Sequence, residues 1–74
     1  MAKLPQLNGA EVVRRLNRLG MEEDHCRGSH VYMRNPATGR IAAVPCRGSK
    51  PVKKGTLGAI LKQLDVSTDD FAQA

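Results

Sequence analysis

From Asn8 to Leu19 the apolar residues Val12, Val13, Leu16 and Leu19 return at the three- and four-residue spacing of one helix face. Asn8 stands where an N-cap side chain accepts from the first free amides, and Gly20 where a left-handed residue closes a helix. The exposed side carries Glu11 with Arg14 and Arg15 three and four positions on, a charge pairing that supports a helix and needs no functional explanation. Met21 to Arg27 is short and mixed and predicts a weak strand, which Gly28-Ser29 breaks. His30-Val31-Tyr32-Met33-Arg34 and Arg40-Ile41-Ala42-Ala43-Val44 both alternate with the strand period. The turn formers Asn35-Pro36-Ala37-Thr38-Gly39 between them predict a hairpin. Pro45 has no amide hydrogen for a ladder and ends the last strand.

Cys46 to Lys54 reads as a basic loop with Gly48, Ser49 and Pro51 in it. The strongest periodic signal follows: Leu57, Ile60, Leu61 and Leu64 stand at i, i+3, i+4 and i+7, with Thr56 as the expected N-cap of a second helix. Ser67 caps a final turn, Asp70 takes the third position of a capping box, and Val66 is placed to staple onto Phe71. The order predicts an α+β fold, α-β-β-β-α, with a three-stranded antiparallel sheet. Both helices lie on one face of it, because three strands alone bury too little. Alternation then sends Val31 and Met33 towards the helices and His30, Tyr32 and Arg34 to the open face.

Composition narrows this to one small domain over residues 1–74, with 41% hydrophobic and 26% charged residues, ordinary for a chain that folds. The stretch Met1 to Leu7 has no apolar core of a leader, and no run approaches the ~18 apolar residues of a membrane helix, so a cytoplasmic protein is expected. The net charge of +5 understates the asymmetry. Between Asp24 and Asp65 there is no acid, while Arg27, Arg34, Arg40, Arg47, Lys50, Lys53, Lys54 and Lys62 all fall there. Eight like charges repel one another unless a polyanion neutralises them, which favours nucleic acid as a partner. With only Tyr32 and Phe71 as aromatics, contact through backbone and 2′-hydroxyls is expected rather than a run of stacked bases.

Several chemistries are excluded. The acids cluster at Glu22-Glu23-Asp24 and Asp69-Asp70, as solvated charges rather than a glycosidase pair, and no phosphate-cradling GxxxxGK[ST] loop occurs. Cys26 and Cys46 form no CxxC, and adjacent His25 and Cys26 point to opposite sides of an extended chain, so no metal and no cofactor is expected. Ser29 and His30 likewise diverge, and Cys26 reads as an inert thiol. What remains is His30 in basic company. On the residues alone it fits two roles equally, a strand-edge side chain bonded to the Gly28 turn or a proton carrier in RNA cleavage by the substrate's own 2′-hydroxyl.

Gly9 to Gly20, Arg27-Gly28-Ser29-His30, Ala43-Val44-Pro45, Lys54-Gly55-Thr56-Leu57 and Ile60-Leu61-Lys62-Gln63-Leu64, in this order, resemble the HicA-type toxin family of mRNA interferases over nearly the whole chain. The resemblance implies a double-stranded-RNA-binding-domain-like fold, ribosome-independent endoribonuclease activity through a histidine as the toxin of a type II toxin–antitoxin system, mRNA as substrate and a HicB-type antitoxin as partner; with no convincing metal site in the chain, that cleavage is expected to be metal-independent. It makes His30 the catalytic histidine. Many members carry another histidine where this chain has Val31, and one just beyond the Val-Pro pair, where it has Cys46-Arg47. Arg34, Arg40, Arg47, Lys50, Lys53 and Lys54 are the expected RNA-binding residues. A non-catalytic RNA-binding module of the same fold is the alternative; a purely protein-binding domain would leave the basic block idle.

Overall fold

The computed structural model describes residues 6–74; Met1 to Pro5, most of the stretch read for a leader, lie outside the described residues. Six elements follow in order: α1 (Gly9–Arg18), β1 (Glu22–Arg27), β2 (His30–Arg34), β3 (Ile41–Pro45), α2 (Lys54–Gln63) and α3 (Thr68–Gln73). The fold is α+β, as the periodicities require, and the expected final turn is a short third helix. Among the described residues no helix is long and apolar enough to cross a membrane.

α1 begins in a full capping box. The Asn8 side chain accepts from the Glu11 amide at 2.9 Å, and the Asn8 amide donates to Glu11 Oε1 at 3.5 Å. This corrects the expected pairing of Glu11 with Arg14 and Arg15: the carboxylate turns back to an amide that would otherwise be free. Arg15 instead donates to the carbonyls of Phe71 at 3.3 Å and Ala72 at 3.1 Å, fastening α3 to α1. Gly20, at φ +92°, closes α1 with Met21 N–H on the Leu16 carbonyl and its own N–H on that of Asn17.

The three strands are antiparallel in the order β1-β2-β3. β2 pairs with β3 from His30 opposite Pro45 to Arg34 opposite Ile41. β1 pairs with β2 from Arg27 opposite His30 to Glu22 opposite Arg34, with a bulge between Glu23 and His25 that leaves Asp24 without a partner. One face packs under the helices: Met33 and Val44 are fully buried, Ala42 nearly so, and they meet Val12 and Leu16 of α1, Leu57, Ile60 and Leu61 of α2, and Phe71 of α3 in one cluster. The other face is open, with His30, Tyr32 and Arg34 half-buried and Ile41 exposed.

One local reading needs correction, and another gains a buried contact. α2 starts at Lys54 with Lys53 as N-cap, so Thr56 is the third helical residue rather than the cap. The first turn of α2 faces solvent and carries no apolar residue, so its periodic signal begins a turn late. Asn35 lies in the hairpin loop as expected, and it is buried there, with Nδ2 donating to the Leu64 carbonyl at 2.7 Å while Oδ1 accepts from the Ala37 amide at 2.9 Å. It joins the hairpin loop to the end of α2.

Candidate functional site

Gly28, at φ +60°, and Ser29 form a two-residue turn that delivers His30 as the first residue of β2. The Ser29 carbonyl accepts from the Cys46 amide at 2.6 Å, so the turn is locked to the chain just beyond β3. His30 therefore stands at the end of the open face, flanked across the ladder by Arg27 and Pro45.

Pro45 also opens a cleft of about 410 Å³ lined by Arg47, Lys50, Pro51, Val52, Lys53 and Thr56. The loop around it has a defined course. Gly48, at φ +59°, lets Lys50 N–H close on the Arg47 carbonyl at 3.2 Å, and Val52 N–H donates to the Leu7 carbonyl at 2.7 Å. Its other end is held by Cys46 on Ser29 and by the approach of α1: a Cβ on Gly9 would lie 2.3 Å from the Pro45 carbonyl oxygen. At the floor, α2 starts with no side-chain cap and no acid in its first turn. Its leading amides thus add to the positive potential of Arg47, Lys50 and Lys53.

The expected RNA-binding residues divide into two groups. Arg47, Lys50 and Lys53 share the cleft that is also lined by Pro45, the cross-strand neighbour of His30. Lys54 lies next to it, on a second depression formed with Gln6, Pro51, Val52 and Lys53. Arg34 and Arg40 are at the opposite end of the sheet, four or more residues along the strands from His30, or about 13 Å. Arg34 is held there by Glu22 at 3.2 Å.

A second constellation went unnoticed in the sequence. His25 lies on the open face opposite Tyr32, and the two rings stack with centroids 4.4 Å apart and planes 7° from parallel. Nδ1 of His25 is 2.6 Å from Asp24 Oδ2. Cys26 pairs with Val31 on the other side of the sheet, so no thiol–imidazole dyad forms with His30. Partial desolvation, then the hydrogen bond to Glu23 and its charge, push the Cys26 thiol up; burial followed by the Glu23 charge does the same to Cys46. Both thiols stay protonated and poorly nucleophilic at neutral pH.

A family model described as "HicA toxin of bacterial toxin-antitoxin" matches residues 9–66, from the start of α1 to just before α3. No curated protein matches the chain closely enough to compare.

Proposed function

Since the chain belongs to the HicA toxin family of bacterial toxin–antitoxin systems, we propose that it acts as an endoribonuclease on mRNA in the cytoplasm and is held in check by a HicB-type antitoxin. The reaction is attack of the substrate's 2′-oxygen on the adjacent phosphorus. His30 accepts the 2′-hydroxyl proton, the P–O5′ bond breaks as the 5′-oxygen takes up a proton to become a 5′-hydroxyl on the downstream fragment, and a 2′,3′-cyclic phosphate remains on the upstream fragment. Arg47, Lys50 and Lys53 hold the RNA backbone and offset the charge gathering on the equatorial oxygens; Lys54, Arg34 and Arg40 extend the phosphate track. In this reading the substrate supplies the nucleophile, since Cys26 faces the other side of the sheet from His30.

The observation that carries this reading is that His30 lies on an open sheet face, directly across from Pro45, which lines the basic cleft. A short RNA with one 2′-deoxy nucleotide at the cut position tests it. Purified protein is expected to cut the all-ribo strand in EDTA, leave the deoxy strand intact, and yield cyclic phosphate ends by mass spectrometry. His30→Ala is expected to remove cutting while melting like wild type. Cutting at the deoxy position, or 5′-phosphate-bearing downstream fragments, would refute attack by the 2′-oxygen; undiminished cutting by His30→Ala would remove that residue from the mechanism.

A further inference from the structure

In-line displacement puts the attacking 2′-oxygen and the departing 5′-oxygen on opposite sides of phosphorus. One imidazole cannot reach both at once, so His30 leaves the 5′-oxygen without a proton. We infer that His25 is the second proton carrier of the cleavage reaction, donating from Nε2 to the 5′-oxygen; this inference rests on the cleavage reading above.

Three observations converge on His25. The first is orientation. A carboxylate accepts and cannot donate, so Asp24 at 2.6 Å fixes one hydrogen on Nδ1, and in the imidazolium that this carboxylate pairs with the second hydrogen stands on Nε2, the nitrogen aimed away from Asp24. Neighbouring residues of a regular strand point to opposite faces, and the bulge at Asp24 is what allows consecutive side chains to meet. The Tyr32 ring then covers one face of the imidazole and sets its plane. The second is access: the His25 side chain retains 50% of its exposure, although two groups hold it.

The third is position. Arg27 faces His30 and His25 faces Tyr32, so the two histidines are diagonal neighbours on one sheet face. Diagonal positions are about 7–8 Å apart, room for a phosphodiester with a nitrogen about 3 Å from each of its reacting oxygens. Arg27 is the register partner of His30 and lies two residues along β1 from His25. The charged and titratable groups of this face are Glu22, Asp24 and Arg27 on β1 and His30, Tyr32 and Arg34 on β2, whereas β3 presents Ile41, Ala43 and Pro45, none of them ionisable.

The step balances. The 2′-oxygen forms its bond to phosphorus as its proton passes to His30, and the P–O5′ bond breaks as the proton of His25 Nε2 passes to the 5′-oxygen. One imidazole ends protonated and the other neutral, and water resets both.

A substrate whose bridging 5′-oxygen is replaced by sulfur tests the assignment, because a thiolate departs without protonation. With the full-length protein, His25→Ala is expected to slow cleavage of ordinary RNA by at least about 10²-fold and to regain a rate near wild type on the 5′-thio strand. His30→Ala is expected to remain slow on both. Asp24→Asn, which keeps the shape but removes the charge beside Nδ1, is expected to show a smaller loss with the same rescue. Equal losses by His25→Ala on both strands, or no loss on either, would overturn the assignment while leaving cleavage by His30 intact. A wild-type protein that cuts neither strand would instead bring down the cleavage reading itself. The exposed position of His25 makes a folding defect unexpected, and thermal melting of both β1 variants confirms that the rates compare folded proteins.

Discussion

One substitution, glycine to alanine, is expected to have opposite effects at two helical positions of this chain. At Gly9 a Cβ would stand 2.3 Å from the Pro45 carbonyl oxygen and 2.7 Å from both Cα and Sγ of Cys46. Ordinary contact begins near 3.4 Å, so α1 and the end of β3 would have to part by about 1 Å, and two of the three atoms in the way belong to backbone. Overpacking of this kind costs about 1–3 kcal/mol. For a domain of this length that lowers Tm by roughly 5–20 °C. At Gly58, inside α2, a Cβ meets nothing within 4 Å, and alanine relieves the entropic cost of glycine, a gain of about 0.5–1 kcal/mol. Circular dichroism melts of Gly9→Ala and Gly58→Ala beside wild type check both signs in one experiment. The movement at Gly9 also displaces the end of β3 and the loop beyond it, so RNA binding should fall further than the folded fraction accounts for. A Gly9→Ala protein melting at or above wild type would refute the close approach of α1 to Pro45 on which the position of the basic loop depends.

Two further outcomes are expected. Asn35→Ala leaves the Leu64 carbonyl without its buried donor, which should cost about 1–3 kcal/mol in urea unfolding with little change in m; an unchanged midpoint would mean that the bond contributes nothing. Lys50→Ala with Lys53→Ala should weaken RNA binding alike for all sequences and reduce the slope of log affinity against log salt by about 0.7 per lysine, measured by fluorescence anisotropy across a salt series, whereas an unaltered slope would place both side chains away from phosphate.

Most of the fold was legible because its signals are local. The α1 boundaries follow from Asn8 and Gly20, the β2–β3 hairpin from alternation on either side of the turn formers, with Arg40 falling in the loop rather than in β3, and the buried stripe of α2 from the spacing of Leu57, Ile60, Leu61 and Leu64. The start of α2 was not legible, since a first turn that faces water has no apolar residue to mark it. Asn35 escaped for a different reason: its partner is the Leu64 carbonyl, 29 residues away, and a turn-forming asparagine looks the same whether its amide meets solvent or protein. For the candidate site, alternation sent His30 to the open face, and the loop's composition announced Arg47, Lys50 and Lys53. The separation of Arg34 and Arg40 from that group was implicit in the hairpin, because both flank its loop, at the end of β2 and β3 opposite His30. His25 opposite Tyr32 was also implicit, since a two-residue turn at Gly28-Ser29 fixes the register of β1 on β2. The bulge was not: nothing in Glu23-Asp24-His25 reveals which residue the ladder omits, and with it goes the contact between Asp24 and His25.

The loop from Cys46 to Lys53 is staked at both ends, on Ser29 and on Leu7, while Arg47, Lys50 and Lys53 are held around one small cleft. Its conformational entropy is therefore surrendered when the chain folds, not when a polyanion arrives, and the mutual repulsion of its three cations is carried as tension in the free protein. Folding and binding become thermodynamically linked through this loop. A ligand that quenches the repulsion raises the melting temperature, removal of salt from the free protein lowers it, and any substitution that loosens either stake reduces stability and affinity together.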